Sequence, residues 1–238
     1  MYLFLDTETT GVTPMDRIVS ICWSRYDSRA RHITTTNHVV RPDGFTIPNG
    51  ASAIHGITTR DALRDGIPLE DALGELYSEI EQHGPTLYVG HNVSFDRPIV
   101  LNEYGRVRHR ENFSSLPTYC TMKSTTEICC IPQRNRSGYK WPKLAELHSH
   151  LFGSPHDDAH DAEADVRATA KCFFELQRRG FVAAGKSAAG PTPSAAAPAP
   201  RISVIQCPGC RGQLRVTYFG TRLSLRCPSC THQFSFPL

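Results

Sequence analysis

An apolar run near the start of the chain, LFLDTETTG at residues 3–11, ends in two carboxylates, Asp6 and Glu8. The run predicts a buried strand, and a carboxylate at the end of such a strand is costly unless something compensates its charge. Side chains two residues apart on a strand point to the same face, so the two carboxylates lie side by side where Gly11 lets the chain turn. Two anions this close repel each other, and one takes up a proton unless a cation intervenes. Because hard oxygen ligands suit Mg²⁺ or Mn²⁺, the run predicts a divalent metal site.

The spacing of apolar residues through residue 182 predicts an α/β domain. Apolar and β-branched runs predict strands at Tyr2–Asp6, Arg17–Tyr26, His32–Val40, Thr86–Val89 and Pro117–Met122. Helical spacing predicts helices at Pro68–Gln82, Arg97–Tyr104, Lys143–Leu151 and Ala162–Arg179. A run of three strands followed by alternating helices and strands predicts a mixed β-sheet flanked by helices.

The composition changes sharply after residue 182. Residues 183–200, AAGKSAAGPTPSAAAPAP, hold eight Ala and four Pro and no large apolar side chain, which predicts a flexible linker between domains at 1–182 and 201–238. All 23 acidic residues precede position 183, whereas residues 201–238 hold five Arg and no acid. This asymmetry indicates chemistry in the first domain and polyanion contact in the second, although five charges would also serve ordinary solubility. No apolar run reaches 18 residues, so we expect a cytoplasmic protein with no membrane partner.

Two later segments each place an aspartate near the start of a helix. LYVGHNVSFD passes from an apolar strand through a Gly turn to Asp96, and HDAEADVRAT carries Asp165 in the first turns of the last helix. Sites in open α/β sheets form beyond the carboxyl ends of the strands, so both aspartates could converge on Asp6 and Glu8. Taken singly, Asp96 could instead complement a helix dipole, and Asp165 could face solvent. The three segments in this order favour a shared site.

DTETTG, HNVSFD and HDAEAD resemble the three motifs of the DEDDh 3′–5′ exonucleases, the DnaQ-like proofreading family with a ribonuclease H-like fold. AIHGIT and YKWPKLAELHSHLFG are similar to the family's segment between its first two motifs and to the helix before its third. The resemblance covers residues 2–178. It implies hydrolysis of phosphodiester bonds from the 3′ end of single-stranded or frayed DNA, with release of nucleoside monophosphates. An exoribonuclease of the same fold, or a non-catalytic nucleic-acid-binding protein, remains the alternative.

The resemblance also implies a role for individual residues in catalysis. His160, five residues before Asp165, matches the general base that takes a proton from the attacking water near neutral pH. Two ions of Mg²⁺ or Mn²⁺ are the implied cofactors, one activating the water and the other supporting the leaving 3′-oxygen. The matching metal ligands are Asp6, Glu8, Asp96 and Asp165. A zinc pair of His156 and His160 would lack a third soft ligand in this domain.

A second set of residues is expected to contact the strand that is cleaved. The resemblance implies that the terminal nucleotide contacts Thr7, Ile54, His55, Asn92 and Phe95. Apolar and aromatic side chains hold bases by stacking, although Phe95 could equally pack in the core. The turn GRVRHR at 105–110 and the loop RNRSGYK at 134–140 offer cations for backbone phosphates, or are solvated loops.

The C-terminal segment carries two CPxC motifs, CPGC at 207–210 and CPSC at 227–230. Their spacing predicts a four-thiolate zinc ribbon, with two disulfides as the alternative. The ligands to one Zn²⁺ would be Cys207, Cys210, Cys227 and Cys230. The intervening QLRVTYFGTRLSLR predicts two strands that turn at Gly220. So small a module has almost no core, so zinc would supply its folding energy.

Arginines and aromatic residues are interleaved along this tail, namely Arg211, Arg215, Tyr218, Phe219, Arg222, Arg226, Phe234 and Phe236. Charge combined with stacking could bind single-stranded nucleic acid. The same surface could instead bind a protein partner. We favour nucleic acid as the partner, and DNA over RNA.

Overall fold

The computed structural model describes residues 1–134, 137–156, 160–182, 201–218, 222–227, 230 and 232–237. Contacts within the chain divide it into two units, Met1–Gly190 and Pro191–Leu238. The predicted linker at 183–200 lies outside the described residues, so the domain boundaries at 182 and 201 stay a prediction.

A mixed five-stranded sheet forms the centre of the first unit. Its strands are β1 (Tyr2–Thr9), β2 (Ile18–Tyr26), β3 (His32–Val39), β4 (Leu87–Gly90) and β5 (Thr118–Cys120). They lie in the order β3-β2-β1-β4-β5. The first three strands are antiparallel neighbours, whereas β4 runs parallel to β1 and β5 runs parallel to β4. This arrangement confirms the predicted mixed sheet.

Helices flank the sheet on both faces. In chain order they are α1 (Asn49–His55), α2 (Thr59–Asp65), α3 (Leu69–His83), α4 (Val93–Val107), α5 (Thr121–Ser124), α6 (Thr126–Cys129), α7 (Leu144–Phe152) and α8 (Ala162–Arg178). The predicted helices correspond to α3, α4, α7 and α8. The apolar pattern does not predict α1, α2, α5 or α6, because seven residues or fewer show too little of the helical period. None of the helices described has the length and apolar character needed to cross a membrane.

Several element boundaries differ from the sequence prediction, and β1 ends at Thr9 rather than at Asp6, so that it includes Glu8. The strand predicted at Pro117–Met122 is shorter, because the chain enters α5 directly after Cys120. The helix predicted to begin at Arg97 begins at Val93, directly after Asn92 turns the chain in the left-handed region with φ 76°. The earlier start brings the residue before Arg97 into the first turns of α4.

The two faces of β1 pack against different helices. Leu3 and Leu5 belong to a buried cluster that includes residues of α3 and α4. Tyr2 and Phe4 belong to a second cluster with α8, where the ring centroid of Phe173 lies 5.2 Å from that of Tyr2 and 5.6 Å from that of Phe4. Because side chains alternate along a strand, the residues after Leu5 continue this division into an α8 face and an α4 face.

The second unit contains two small antiparallel sheets. The first pairs β6 (Arg201–Gln206) with β7 (Gln213–Tyr218), and the second pairs β8 (Arg222–Arg226) with β9 (Gln233–Pro237). The two strands predicted in QLRVTYFGTRLSLR are present as β7 and β8, but in the described residues each pairs with an outer strand rather than with the other. The predicted turn residue Gly220 lies outside the described residues. Each CPxC motif lies in the sequence between the two strands of one pair.

Candidate active site

Three carboxylates meet at the carboxyl end of β1. Asp6 and Glu8 continue the α8 face of this strand, and Asp165 lies in the first turn of α8, which packs on that face. One oxygen of each of these three side chains lies within 4.8 Å of the other two. Beyond them the chain turns at Gly11, where an added Cβ would lie 2.6 Å from Asp16 Oδ1. A larger residue at position 11 would therefore displace the Asp16 carboxylate, which accepts hydrogen bonds from the Thr10 and Thr13 hydroxyls.

Asp96 approaches the same end of β1 from the opposite face of the sheet. It lies in the first turn of α4 and is 2% exposed. Thr7, on the α4 face of β1, donates a hydrogen bond from Oγ1 to Asp96 Oδ1 at 2.8 Å. Asp96 is not part of the group of three, but its charge raises the pKa values of both Asp6 and Glu8. The four carboxylates that the sequence singled out therefore share one electrostatic environment.

Burial and mutual repulsion favour the protonated form of these carboxylates. Burial, followed by the charges of Asp96 and Asp165, raises the pKa of Asp6 well above its ordinary value. Burial, followed by the charge of Asp165, raises the pKa of Glu8 to about 8. Burial also raises the pKa of Asp96 to about 7, against the hydrogen bond from Thr7. A divalent cation would reverse this balance, and close-set carboxylate oxygens are the ligands that Mg²⁺ and Mn²⁺ prefer.

Two histidines approach Asp165 from the segment before α8. His160 lies in an exposed turn with φ 71°, and its backbone N–H donates to Asp165 Oδ2 at 3.3 Å. His156 Nε2 donates to Asp165 Oδ1 at 2.7 Å, and its side chain is only 7% exposed. Sequence spacing does not reveal this contact, because it depends on the path of the chain between α7 and α8. The general-base role of His160 stays a prediction.

Helix α1, which the sequence pattern does not predict, brings two of the expected nucleotide contacts to the end of β1. His55 is half-buried and lies against the backbone of Thr9, and burial lowers its pKa. Its Nδ1 accepts a hydrogen bond from the N–H of Ile57 at 3.2 Å. The neighbouring Ile54 is 59% exposed, so it offers apolar surface next to this imidazole.

The other three expected nucleotide contacts have partners within the protein. Thr7 is 6% exposed and uses its hydroxyl to hold Asp96. Asn92 Oδ1 accepts a hydrogen bond from Ser94 Oγ at 3.0 Å. Phe95 is partly buried and packs against the core cluster between the sheet and α4. The core-packing interpretation of Phe95 thus has support, and the nucleotide roles of all three stay predictions.

Two cations of the segments that could contact phosphates, at 105–110 and 134–140, have partners within the fold, and residues 135 and 136 lie outside the described residues. Arg106 Nη1 donates to Glu103 Oε1 at 2.9 Å, and its Nη2 donates to the carbonyl of Met15 at 2.8 Å. Lys140 Nζ donates to Glu146 Oε2 at 2.7 Å. These two cations hold loops in place, so they are weaker candidates for phosphate contacts than their sequence setting indicates.

A second cluster of ligand atoms lies in the tail. The sulfurs of Cys207, Cys210, Cys227 and Cys230 all lie within 4.8 Å of one another. The Sγ atoms of Cys207 and Cys230 are 3.6 Å apart, and those of Cys210 and Cys227 are 3.7 Å apart. Disulfide sulfurs are about 2.05 Å apart, so these sulfur separations do not fit the disulfide alternative. A tetrahedron with zinc–sulfur bonds of about 2.3 Å has edges of about 3.8 Å, so the spacing fits a four-thiolate ribbon.

The expected nucleic-acid contacts of the tail are only partly described. Arg211 is exposed, and its backbone N–H donates to the carbonyl of Cys207 at 2.8 Å. The other side chains lie outside the described part of the tail, namely Arg215, Tyr218, Phe219, Arg222, Arg226, Phe234 and Phe236. The predicted contact surface of the tail therefore stays a prediction.

Comparison with known proteins places this geometry in a family. The RNase_T family model, described as exonuclease, matches residues 3–173. An uncharacterized exonuclease of Escherichia phage 186, CP81, is 31% identical over 183 residues, which cover 75% of this chain and 89% of the phage protein.

Solved structures of Escherichia coli exonuclease I share the fold of the first unit. A zinc-bound complex of that enzyme with single-stranded DNA has a TM-score of 0.63 at 24% identity, covering 75% of this chain and 40% of that chain. Its complex with a dT13 oligonucleotide has a TM-score of 0.62 at 26% identity, covering 76% and 42% of the two chains. The present chain thus spans about two fifths of the length of the exonuclease I chains.

The family match covers nearly all of the first unit, including the carboxylates on β1, α4 and α8. The mixed sheet flanked by helices is the ribonuclease H-like fold of such enzymes. The chain therefore belongs to the exonuclease family, and it is a nuclease with a four-cysteine ribbon at its C-terminal end.

Proposed function

We propose that this nuclease is a 3′–5′ exonuclease that removes nucleoside monophosphates from the 3′ end of single-stranded or frayed DNA. The observation that carries the proposal is the convergence of Asp6, Glu8 and Asp165 within 4.8 Å, with Asp96 electrostatically coupled to them. The likeness to exonuclease I, solved with single-stranded DNA, supports the substrate. The motif order DTETTG, HNVSFD and HDAEAD supports the polarity through its resemblance to the DEDDh exonucleases.

Four carboxylates are suited to hold two divalent cations, Mg²⁺ or Mn²⁺. Bound there, such ions activate water and stabilise the charge on the leaving 3′-oxygen. The protein's own contribution is to fix the ligands before substrate arrives. The Thr7 hydroxyl holds Asp96 Oδ1, and the His156 imidazole holds Asp165 Oδ1. Hydrogen bonds of this kind orient metal-ligating carboxylates.

His160 is the proposed general base of this reaction. Its backbone N–H donates to Asp165 Oδ2, so the residue is tied to one of the ligand carboxylates. Its side chain is exposed, so solvent water can reach it. Histidine is the side chain that most often serves as a general base in enzymes.

A labelled oligonucleotide tests the proposed activity directly. The intact chain is incubated with 5′-labelled single-stranded DNA and Mg²⁺, and the expected result is a ladder of progressively shorter labelled strands. Excess chelator and the Asp6→Asn variant should each abolish the ladder. Release of the 5′ label as a mononucleotide at the start of the reaction would contradict the proposed polarity.

The same assay separates the proposal from its alternatives. A matched RNA strand reports the substrate preference, and faster shortening of RNA would make the chain an exoribonuclease. Binding of either strand without any shortening would indicate a non-catalytic nucleic-acid-binding protein.

We also propose that one Zn²⁺ is bound by the four cysteines of the tail, Cys207, Cys210, Cys227 and Cys230. Residues 183–200 are the proposed flexible linker between the two domains. Nucleic acid is the proposed partner of the tail. The sulfur spacing supports the zinc ion, and the Ala and Pro content supports the linker. Comparison of the intact chain with a 1–182 truncation tests the tail. If the truncation binds single-stranded DNA with the same affinity and the same salt dependence as the intact chain, the tail does not bind nucleic acid. A protein would then be the alternative partner of the tail.

A further inference from the structure

Trp141 differs from the other tryptophan of the chain in its environment. The chain has two tryptophans. Trp23 is 1% exposed and lies in the core, whereas Trp141 is 59% exposed on the segment between α6 and α7. Single exposed apolar residues are common on protein surfaces, so exposure alone assigns nothing to Trp141. Two further features indicate a function for Trp141: hydrogen bonds fix the backbone on both sides of it, and the Lys123 ammonium lies beside its ring.

The backbone on both sides of Trp141 is held in place. The N–H of Lys140 donates to the carbonyl of Ile131 at 2.8 Å. Pro142 is buried, and its carbonyl accepts a hydrogen bond from His91 Nε2 at 3.1 Å. A residue that precedes proline is also restricted to extended conformations. The fold therefore fixes the backbone of Trp141 while it leaves the indole ring uncovered.

A cation accompanies the exposed ring. Lys123 Nζ lies 5.6 Å from the centroid of the Trp141 ring, within the range of cation–π attraction. Lys123 is exposed, and among the described residues it forms no ion pair with a carboxylate. The surface therefore presents one aromatic ring and one available positive charge side by side.

One histidine connects the two segments that carry this pair. His91 Nδ1 accepts a hydrogen bond from Thr121 Oγ1 at 2.9 Å, two residues before Lys123, while its Nε2 donates to Pro142, next to Trp141. Burial, with a smaller effect from the charge of His156, lowers the pKa of His91 to about 4, so the imidazole is neutral and keeps one donor and one acceptor.

The position of His91 relates the pair to the active site. It lies between β4 and α4, on the same connection that leads to Asp96. Thr121, its hydrogen-bond partner, directly follows β5, and both β4 and β5 belong to the parallel part of the sheet with β1. The segments that carry Lys123 and Trp141 are therefore held at the carboxyl end of the parallel strands, the end at which the carboxylates of β1 lie.

We propose that Trp141 and Lys123 bind the single-stranded nucleic acid that enters the active site, with one base stacked on the indole and a neighbouring phosphate on the ammonium group. The inference rests on the proposed exonuclease function, and it adds a contact to a nucleotide other than the one being released. Base–aromatic stacking tolerates any sequence, as an enzyme that shortens a strand stepwise requires.

Tryptophan fluorescence provides the first test, because Trp23 is buried and Trp141 is not. The intact chain is titrated with dT12, with Ca²⁺ replacing Mg²⁺ to suppress hydrolysis, while anisotropy of the labelled oligonucleotide follows binding. Emission should be quenched in the wild type and unchanged in Trp141→Phe. Loss of one stacked base weakens binding, so Trp141→Ala should raise Kd about 10-fold, and Trp141→Phe should raise it less. Leu63→Ala, at another exposed apolar position, is the matched control and should leave Kd unchanged.

Substrate length provides the second test. Trp141→Ala and Lys123→Ala should lower kcat/KM about 10-fold on dT12, mainly through KM, and leave hydrolysis of the p-nitrophenyl ester of thymidine 5′-monophosphate unchanged. Lys123→Ala should also reduce the salt slope of binding by about one, and Lys123→Arg should restore it. Thermal melting of each variant checks that its fold is intact.

The outcomes distinguish this inference from the proposed function. If the wild type shortens no strand but dT12 still quenches Trp141, the proposed function fails and the binding contact stands. If the wild type shortens dT12 and neither the quench nor the Kd depends on Trp141, the inference is wrong and the exonuclease remains. Equal losses on dT12 and on the mononucleotide ester would also overturn it, because they would indicate damage to the catalytic site.

Discussion

The carboxylate cluster and the cysteine cluster relate to the fold around them in opposite ways. The carboxylates lie at the end of a sheet whose two faces are already buried by apolar clusters, and burial opposes their ionisation. In the tail, two of the four thiols, Cys207 and Cys227, are buried, and so small a module needs a bound metal to supply its folding energy. The first unit therefore folds around its carboxylates at a cost in stability, whereas the tail depends on its metal site for folding.

The largest expected effect is on the tail. Cys207→Ser should unfold residues 201–238 and leave the melting temperature of the first unit unchanged, because structural zinc contributes roughly 10–16 kcal/mol of apparent folding free energy. Loss of dispersed amide resonances from the tail, together with zinc content by mass spectrometry, measures this. Cys130→Ser is the matched control, since that thiol lies outside the cluster and donates to the carbonyl of Glu127. A folded tail in the metal-free Cys207→Ser protein would show that the tail does not depend on its cysteine cluster for folding.

The next effect concerns catalysis alone. His160→Ala should lower turnover on single-stranded DNA by about 10²–10⁴-fold, the usual contribution of a general base. Mn²⁺ affinity, measured by titration calorimetry, should stay within a few-fold of the wild type, because no carboxylate is removed. Wild-type turnover in this variant would refute the role of His160.

A smaller effect is expected at His156, which holds Asp165 Oδ1. His156→Ala should weaken Mn²⁺ binding by roughly 10–100-fold, as is typical when the partner of a metal ligand is lost. His156→Gln retains a donor and should recover part of the affinity. Calorimetry without substrate separates this effect from catalysis. If both variants bind Mn²⁺ with wild-type affinity, His156 does not position Asp165.

The smallest effect is the pH dependence of the metal-free protein. Folding raises the pKa of Glu8 from its ordinary value of 4.5 to about 8. Between these values the unfolded chain has released its proton and the folded chain has not, so stability falls as the pH rises from about 4.5 to about 8. Glu8→Gln removes this loss. In chelator, its melting temperature should exceed that of the wild type by a few degrees at pH 8 and by less at pH 5. A difference in melting temperature that stays constant between pH 5 and pH 8 would contradict a raised pKa of Glu8 in the folded protein.

The fold class and the grouping of the carboxylates could be predicted from the sequence because both depend on local patterns of residue types. The alternation along β1 sets which face Asp6 and Glu8 occupy, and the family motifs link them to α4 and α8. The contact of His156 with Asp165 and the exposure of Trp141 were out of reach, because each depends on where a loop packs. The pairing of the tail strands could not be predicted either, since apolar alternation identifies strands but not their partners.

The opposite approaches of Asp96 and Asp165 have a mechanical consequence. Asp96 belongs to the helix layer on one side of the sheet, and Asp165 belongs to the layer on the other. Cations held by both would cross-link the two layers around the strand ends. Addition of Mg²⁺ should therefore slow amide hydrogen exchange in α4 and α8 together, although the two helices share neither a core cluster nor adjacent sequence.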